Sequence, residues 1–402
     1  MEQAIAGKSA TGMDVSGVLG TNQSDMRDRN ERLVLSLLRR RGALARAEIA
    51  RVTGLSAQTV SVITRKLEDE GLLLRQQPVR GKVGQPSVPM SLNPDGALFF
   101  GLKVGRRSSD LVLVDFLGHI RSREHVTYRF PAPDGTLRFV KDAAERLSGR
   151  LDAAQRARVA GLGIAIPFFL WEWGAILGTP AEDMEAWRDF GLRAEVAALF
   201  DFPVFLQNDA TCACGAELVF GSRDTPPDFL YFYMGYFIGG GVVLSGRLFT
   251  GSTGNAGALG PMPIPDPDGK TRQLIDVASL AGLERMVTDA GGEADALWTS
   301  ATDWGVPPQL IDAWTRTAAP AIAHAIVASV SVMDFEHVLI DGWLPERVRE
   351  DLVSSVQAEL GRMNLSGLPH PTVMSGTVGA DARTLGAASL PLSQRYLVDT
   401  AQ

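Results

Sequence analysis

The chain has 402 residues, enough for two or three domains with well-buried cores. Apolar residues make up 45% and charged residues 21%, which excludes a chain disordered throughout; no window approaches the ~18 uninterrupted apolar residues of a transmembrane helix. The net charge of −7 is uneven: residues 25–90 hold 13 Lys/Arg against 7 Asp/Glu and sum to +6, so a small basic block suited to polyanions is joined to an acidic body.

Residues 1–24 are rich in Gly, Ser and Ala without periodicity and are expected to form a flexible tail. They lack the apolar stretch behind a basic start that marks a secretory signal. From Asn30 onward, Leu33, Val34, Leu37 and Leu38 make one helical stripe that Gly42 closes. A second short helix carries Ile49, Ala50 and Val52 and stops at Gly54. Ser56 caps a third helix, with Val60, Ile63 and Leu67 on one face and Gly71 at its end. Residues 72–74 and 88–92 read as strands around a Gly/Pro turn at 80–89, and Asn93-Pro94-Asp95-Gly96 marks a boundary.

Three short helices followed by strand–turn–strand predict a winged helix-turn-helix over residues 25–92. If the third helix buries Val60, Ile63 and Leu67, then Gln58, Ser61, Val62 and Arg65 fall on its open face. Gln matches an adenine edge and Arg a guanine edge or a phosphate, so this face suits a major groove. Ser56 and Thr59 stand at the helix start, where Thr59 can donate to a phosphate. On the wing, Arg80 and Lys82 can reach the backbone or minor groove. The bland alternative is a small helical bundle with solvated charges. The Gly-Leu-Ser turn at 54–56, the Gly71 helix stop and the Gly-rich wing coincide against it.

Beyond Ala97 the pattern changes. Strands are expected at 98–104, 111–115, 126–130, 159–166, 204–207, 229–234, 240–244 and 337–340. Helices are expected at 137–151, 191–199 and 308–332. Strands interleaved with helices imply an α/β body. The two cysteines, Cys212 and Cys214, form no disulfide framework and fit a reducing cytoplasm. At i, i+2 on a helix they point apart and read as small core residues, not a metal pair. The five histidines show no i, i+4 metal spacing.

Collinear motifs run along the whole chain. They include GKVGQPSVPMSLNP at the wing, GLGIAIP at 161–167, QNDATCACGAE at 207–217, GNAGALG at 254–260, DFEHVLIDG at 334–342 and GAASL at 386–390. Together they resemble the transcriptional regulators of the ROK family, which groups sugar-responsive repressors with sugar kinases. The resemblance covers roughly residues 30 to 390. It implies two α/β lobes of the actin-like (ribonuclease H-like) type, occupying residues 97–402, with a cleft between them. It also implies a homodimer or homotetramer on operator DNA and a small sugar-like effector. The effector residues would be Gly163, Trp187, Asn208, Asp209 and Gly257. Asp209 aligns with the catalytic base of the family's kinases and could accept hydrogen bonds from adjacent sugar hydroxyls, or could cap the helix that follows it.

Departures from the family's kinases are concentrated in the chemistry. Where they carry Asp-x-Gly-Gly-Thr, this chain has Lys103-Val104-Gly105-Arg106-Arg107. A lysine cannot supply the oxygen ligand that Mg²⁺ requires. The second phosphate loop reads Gly235-Tyr236-Phe237-Ile238-Gly239-Gly240-Gly241, with bulky rings in place of a small cradle. Ala258 and Pro261 replace a sugar-binding Glu and a His. The family's zinc loop should follow residue 261, but no cysteine is there, so neither zinc nor any cofactor is expected. Trp187 or Tyr236 could give the ligand an apolar face. The expectation is a cytoplasmic DNA-binding regulator without enzymatic activity. A sugar kinase with a DNA-binding head, and a regulator that has lost its effector, are the alternatives.

Overall fold

The structure, a computed structural model, describes residues 23–78, 87–173, 184–265 and 270–398. The N-terminal head begins with α1 (Gln23–Arg41), which starts ahead of Asn30 because charged residues extend it without widening its apolar stripe. It is followed by β1 (Leu44–Ala45), α2 (Arg46–Thr53), α3 (Ala57–Asp69), β2 (Leu73–Arg75) and β3 (Pro89–Leu92). The three strands form one small sheet in the order β1-β3-β2. Gly54 ends α2 in the left-handed conformation that a Cβ disfavours. Ser56 then caps α3 by accepting from the Thr59 amide at 3.1 Å. Val34, Leu38, Ile49, Val60, Ile63 and Leu67 are all buried in the head's core.

Lobe 1 contains β4 (Leu98–Val104), β5 (Ser108–Asp115), β6 (Ile120–Thr127), α4 (Pro133–Gly149), α5 (Ala153–Arg156), β7 (Val159–Ile166), α6 (Leu192–Ala197) and β8 (Val204–Asn208). Its sheet runs β6-β5-β4-β7-β8, antiparallel on one side of β4 and parallel on the other. The third strand lies at 120–127, not at the expected 126–130. It is an edge strand that alternates half-buried and exposed positions, and its Arg, Glu and His residues hid it from an apolar pattern.

Next comes α7 (Asp209–Phe220), and then lobe 2. Its elements are β9 (Phe229–Met234), β10 (Gly239–Leu244), β11 (Arg247–Phe249), β12 (Pro263–Pro265), β13 (Thr271–Gln273), α8 (Leu274–Ala278), α9 (Leu280–Asp289), α10 (Ala296–Thr299), α11 (Pro308–Val330), β14 (His337–Gly342), α12 (Glu346–Leu360) and β15 (Thr372–Ser375). The main sheet of this lobe runs β11-β10-β9-β14-β15. The chain finishes on α13 (Ala382–Tyr396).

α7 and α13 join the lobes. α13 packs on β4 and β7, α7 packs on β10, and the two helices pack on each other. The approach is close enough to require glycine. A Cβ at Gly163 would fall inside the Ala387 carbonyl, and one at Gly386 would fall inside the Cys212 carbonyl. Cys212 and Cys214 are fully buried free thiols in this layer, and burial raises both pKa values well above the usual thiol range.

The head shares its core with lobe 1. Phe99, Phe116 and Tyr396 belong to the same apolar cluster as Leu67 and Leu72. Arg39 of α1 is half-buried there. Its guanidinium donates to the Phe116 carbonyl and lies 5.4 Å and 5.6 Å from the Phe116 and Phe220 ring centres. Burial lowers its pKa to about 10. The Val398 amide donates to Ser36 Oγ at 3.0 Å, which ties the chain's end to α1.

Gly163→Ala should therefore cost about 3 kcal/mol or more, because backbone must move to admit the methyl. Gly149→Ala, with open space around its position, should be neutral or stabilise by up to about 1 kcal/mol. Thermal melts of the two variants against the parent check the contrast; similar melting temperatures would contradict the tight α13 contact.

Candidate functional site

On the head, Gln58, Val62 and Arg65 are exposed along one face of α3, with Val62 at 60% exposure. Ser61 is half-buried at its edge. The Ser56 and Thr59 hydroxyls are 2.8 Å apart and engage each other at the cap. Thr64, which sequence reasoning left unassigned, is buried and accepts from Arg46 at 2.8 Å, fixing α2 against α3. Arg80 and Lys82 lie outside the described residues.

Between the lobes is a cavity of about 470 Å³. Lobe 1 contributes Lys103, the turn at 105–108 and Pro167–Phe169. Lobe 2 contributes Tyr233, residues 236–240, and Gly257, Ala258 and Pro261. Asn208 and Asp209 enter from the start of α7, and Arg383 from the start of α13. Asn208 caps α7 by accepting from the Ala210 and Thr211 amides at 3.0 Å and 3.3 Å. Asp209 instead pairs with Arg383 at 3.1 Å, both side chains being largely buried. Arg383 also lies 5.0 Å from the Tyr233 ring centre.

Asn208, Asp209 and Gly257 thus line the cleft, but Gly163 and Trp187 do not. Gly163 faces α13, where its missing side chain admits the helix. Trp187 is buried in the lobe 1 core and donates its indole N–H to the Pro131 carbonyl at 2.8 Å.

Three charged contacts were not legible in the sequence, the first a cross-strand pair between β4 and β5 and the other two between residues far apart along the chain. Lys103 Nζ donates to Asp110 at 2.8 Å and to Ser108 Oγ at 3.0 Å. Asp110 also contacts His125 Nδ1 at 2.8 Å. Arg106 crosses the cleft from lobe 1 to lobe 2. Its guanidinium lies 3.4 Å from the Tyr236 ring centre and 3.4 Å from Glu284, which accepts from the Trp298 indole at 2.6 Å. Arg107 follows it across to Asp295 at 2.8 Å, although Asp295 is mostly exposed and this pair contributes little. The only local signal for this contact was the bulk of residues 106 and 236–237 in turns that would otherwise be small.

Among the described residues, no three His, Cys, Asp or Glu side chains stand close enough to hold a metal ion. No described helix is long and apolar enough to cross a membrane.

A head of this kind on a two-lobed α/β body defines a DNA-binding protein built on a sugar-kinase-like scaffold. Residues 99–394 match the ROK family, and residues 27–73 match the winged helix-turn-helix DNA-binding model. The chain belongs to the ROK family. It is 25% identical to an uncharacterized protein of Sinorhizobium fredii over 91% of each chain. It is 26% identical to the xylose repressor of Bacillus spizizenii over 243 residues, which are 60% of this chain and 62% of the repressor. Among solved structures, a ROK family transcriptional regulator described as a homolog of the E. coli MLC protein superposes with a TM-score of 0.66 at 22% identity, covering 92% of this chain and 97% of that one. A ROK family glucokinase from Streptomyces griseus, in complex with glucose and AMPPNP, superposes with a TM-score of 0.57 at 20% identity, covering 73% and 99%.

Arg106→Ala should loosen the lobes. A partly buried cation–π contact of this kind is worth roughly 1–2 kcal/mol. Small-angle scattering should show a larger radius of gyration for the variant, with a melting temperature lower by only a few degrees. An unchanged scattering profile would mean that Arg106 does not set the lobe angle.

Proposed function

We propose that this chain is a sugar-responsive transcriptional repressor that binds operator DNA through α3 and its wing and holds its effector in the interlobe cleft. The observation that carries the reading is α13. Arg383 at its start lies in the cleft, and Tyr396 at its end lies in the core shared with the DNA-binding head. A ligand that changes the cleft therefore acts on the helix on which the head rests. Its effect is a population shift between lobe arrangements that differ in affinity for the ligand. As a symmetric oligomer, the protein would present two heads at a spacing matched to the operator half-sites.

The same geometry argues against a kinase. Phosphoryl transfer needs positioned phosphates and a metal. Lys103 occupies one phosphate-side position and is committed to Asp110, while Arg106 and Tyr236 fill the space between the two turns. Asp209 is paired with Arg383 and is not poised as a base. This pairing also changes how Asp209 should be tested. Asp209→Ala would strand a buried guanidinium and destabilise the fold, so Asp209→Asn is the cleaner substitution.

Gln58→Ala and Arg65→Ala should each weaken operator binding by about 1–3 kcal/mol if their side chains reach base edges. Both are exposed, so both variants should melt like the parent. Fluorescence anisotropy at fixed salt, with and without candidate sugars, measures the face and the effector response together. Unchanged affinity in both variants would exclude this face of α3.

A further inference from the structure

Where the head meets the body, a second cavity of about 440 Å³ opens between α1, α7, the β10–β11 hairpin and the far half of α13. It shares no lining residue with the interlobe cleft. Much of its wall is apolar, with Leu33 and Leu37 from α1, Leu218 from α7, Leu248 from β11, and Leu390 and Leu397 from α13 and its end. All six are half-buried, so each keeps apolar surface uncovered. The apolar stripe of α1 thus divides in two. Val34 and Leu38 enter the head's core, while Leu33 and Leu37 border the cavity. The charged part of the lining is basic throughout. Arg32, Arg39 and Arg40 come from α1 and Arg247 from the hairpin, and no Asp or Glu is among the lining residues. Arg40 is exposed. Arg39 is held by the Phe116 carbonyl and by the Phe116 and Phe220 rings, not by a carboxylate, and its Nε is buried without a partner. The carboxylate that acts on it from nearby, Asp115, is engaged by Arg121 and the His119 amide. A guanidinium is matched by the paired oxygens of a carboxylate or phosphate. Apolar walls with a few convergent polar groups are the usual makeup of a small-molecule site.

We propose that this cavity is a second ligand site, for a small amphipathic anion whose carboxylate or phosphate meets the arginines of α1 and whose alkyl or aryl body covers the leucines. A cavity of this volume takes a molecule of drug size or smaller, not a folded partner. The occupant touches α1, α7, α13 and the hairpin at once, so it holds the head against the helix on which the head rests. Within the proposed function it would act on the head without entering the interlobe cleft. The site itself does not depend on the sugar-responsive reading, because its occupancy is measured without sugar or DNA.

The test is calorimetric titration of the full-length protein with octanoate, octyl phosphate, octan-1-ol and acetate, with amide hydrogen exchange followed on the same samples. Octanoate or octyl phosphate should bind about 10-fold or more tighter than octanol and acetate, the scale of one charge-assisted hydrogen bond. Exchange should slow in α1 and in the far half of α13. The tighter of the two anions identifies a carboxylate or a phosphate site. Arg40→Glu changes an exposed position, so it should melt like the parent while weakening binding about 10-fold or more. Ser393→Trp places a ring in the cavity from α13 and should abolish binding; should that variant melt early, Arg40→Glu decides. Removal of residues 399–402, which follow Val398 at the cavity wall, should leave the affinity unchanged. No binding by either anion, octanol binding as tightly as octanoate, or anion binding unchanged in Arg40→Glu would each overturn the site. Octanoate that binds only after residues 399–402 are removed would show that the chain's own end fills the cavity, and would overturn it as well. Anion binding that behaves as expected, with operator affinity unmoved by any sugar, would overturn the sugar-responsive reading and leave this site standing.

Discussion

The closeness with which α7 and α13 approach each other and the lobe 1 sheet governs the rest of the molecule. Contact at backbone distance is possible only where side chains are absent, and Gly163 and Gly386 make it so. Protein interiors are packed too densely to deform continuously, so a contact of this kind holds one arrangement or gives way to another. The loop leading into α13 is gripped by two buried carboxylates. Glu217 of α7 accepts from the Thr377 amide and hydroxyl and the Val378 amide, and Asp341 of β14 accepts from the Gly379 amide and from Arg349. Burial raises both carboxyl pKa values. α13 therefore starts from a position set by α7 and lobe 2 together.

Charge in the cleft is arranged differently from charge on the surface. Exposed pairs such as Arg188–Glu185 contribute little to stability. Arg106–Glu284 and Arg383–Asp209 are largely buried, and each joins elements far apart in the chain. Arg383 reaches Tyr233 of lobe 2, and Arg106 reaches Glu284 across the cavity. Breaking such a pair from one side leaves the other member buried and costs far more than a surface ion pair returns. Under the proposed function, a ligand that supplies the contact a pair gives up would offset that cost.

Much of this architecture was legible in the sequence. The stripe of Val60, Ile63 and Leu67 located α3 and its buried face, and the strands at 98–104, 159–166 and 229–234 have the boundaries that their apolar runs indicated. These are local patterns, and local patterns survive folding. The strand at 120–127 was misplaced because an edge strand needs few apolar residues. Gly163 and Trp187 were assigned to the ligand on motif position, yet Gly163 serves helix packing and Trp187 fills a core. A motif records that a residue type is required, but not which of two physical demands requires it. The Arg106–Glu284 and Asp209–Arg383 pairs span most of the body's length in sequence, and no periodicity carries such pairs.

α13 runs from the interlobe cleft to the core of the head. Fifteen residues at about 1.5 Å each give a rod of roughly 22 Å. Near its start are Arg383 and the two carboxylate grips, and at its far end Tyr396 lies against Phe99 and Phe116 in the core that also holds α1 and α3. Pro391 interrupts the helix's hydrogen bonding and packs against the position where Gly161 leaves room, so that even this weak point is held from the lobe 1 side. A rod supported along lobe 1 and gripped by lobe 2 only near its start cannot bend freely when the cleft changes. Its start must be released from lobe 2, or the rod must shift along the sheet and carry the floor of the head with it. In either case the head, which shares its core with the rod's end, would under the proposed function be placed on DNA by the state of the cleft.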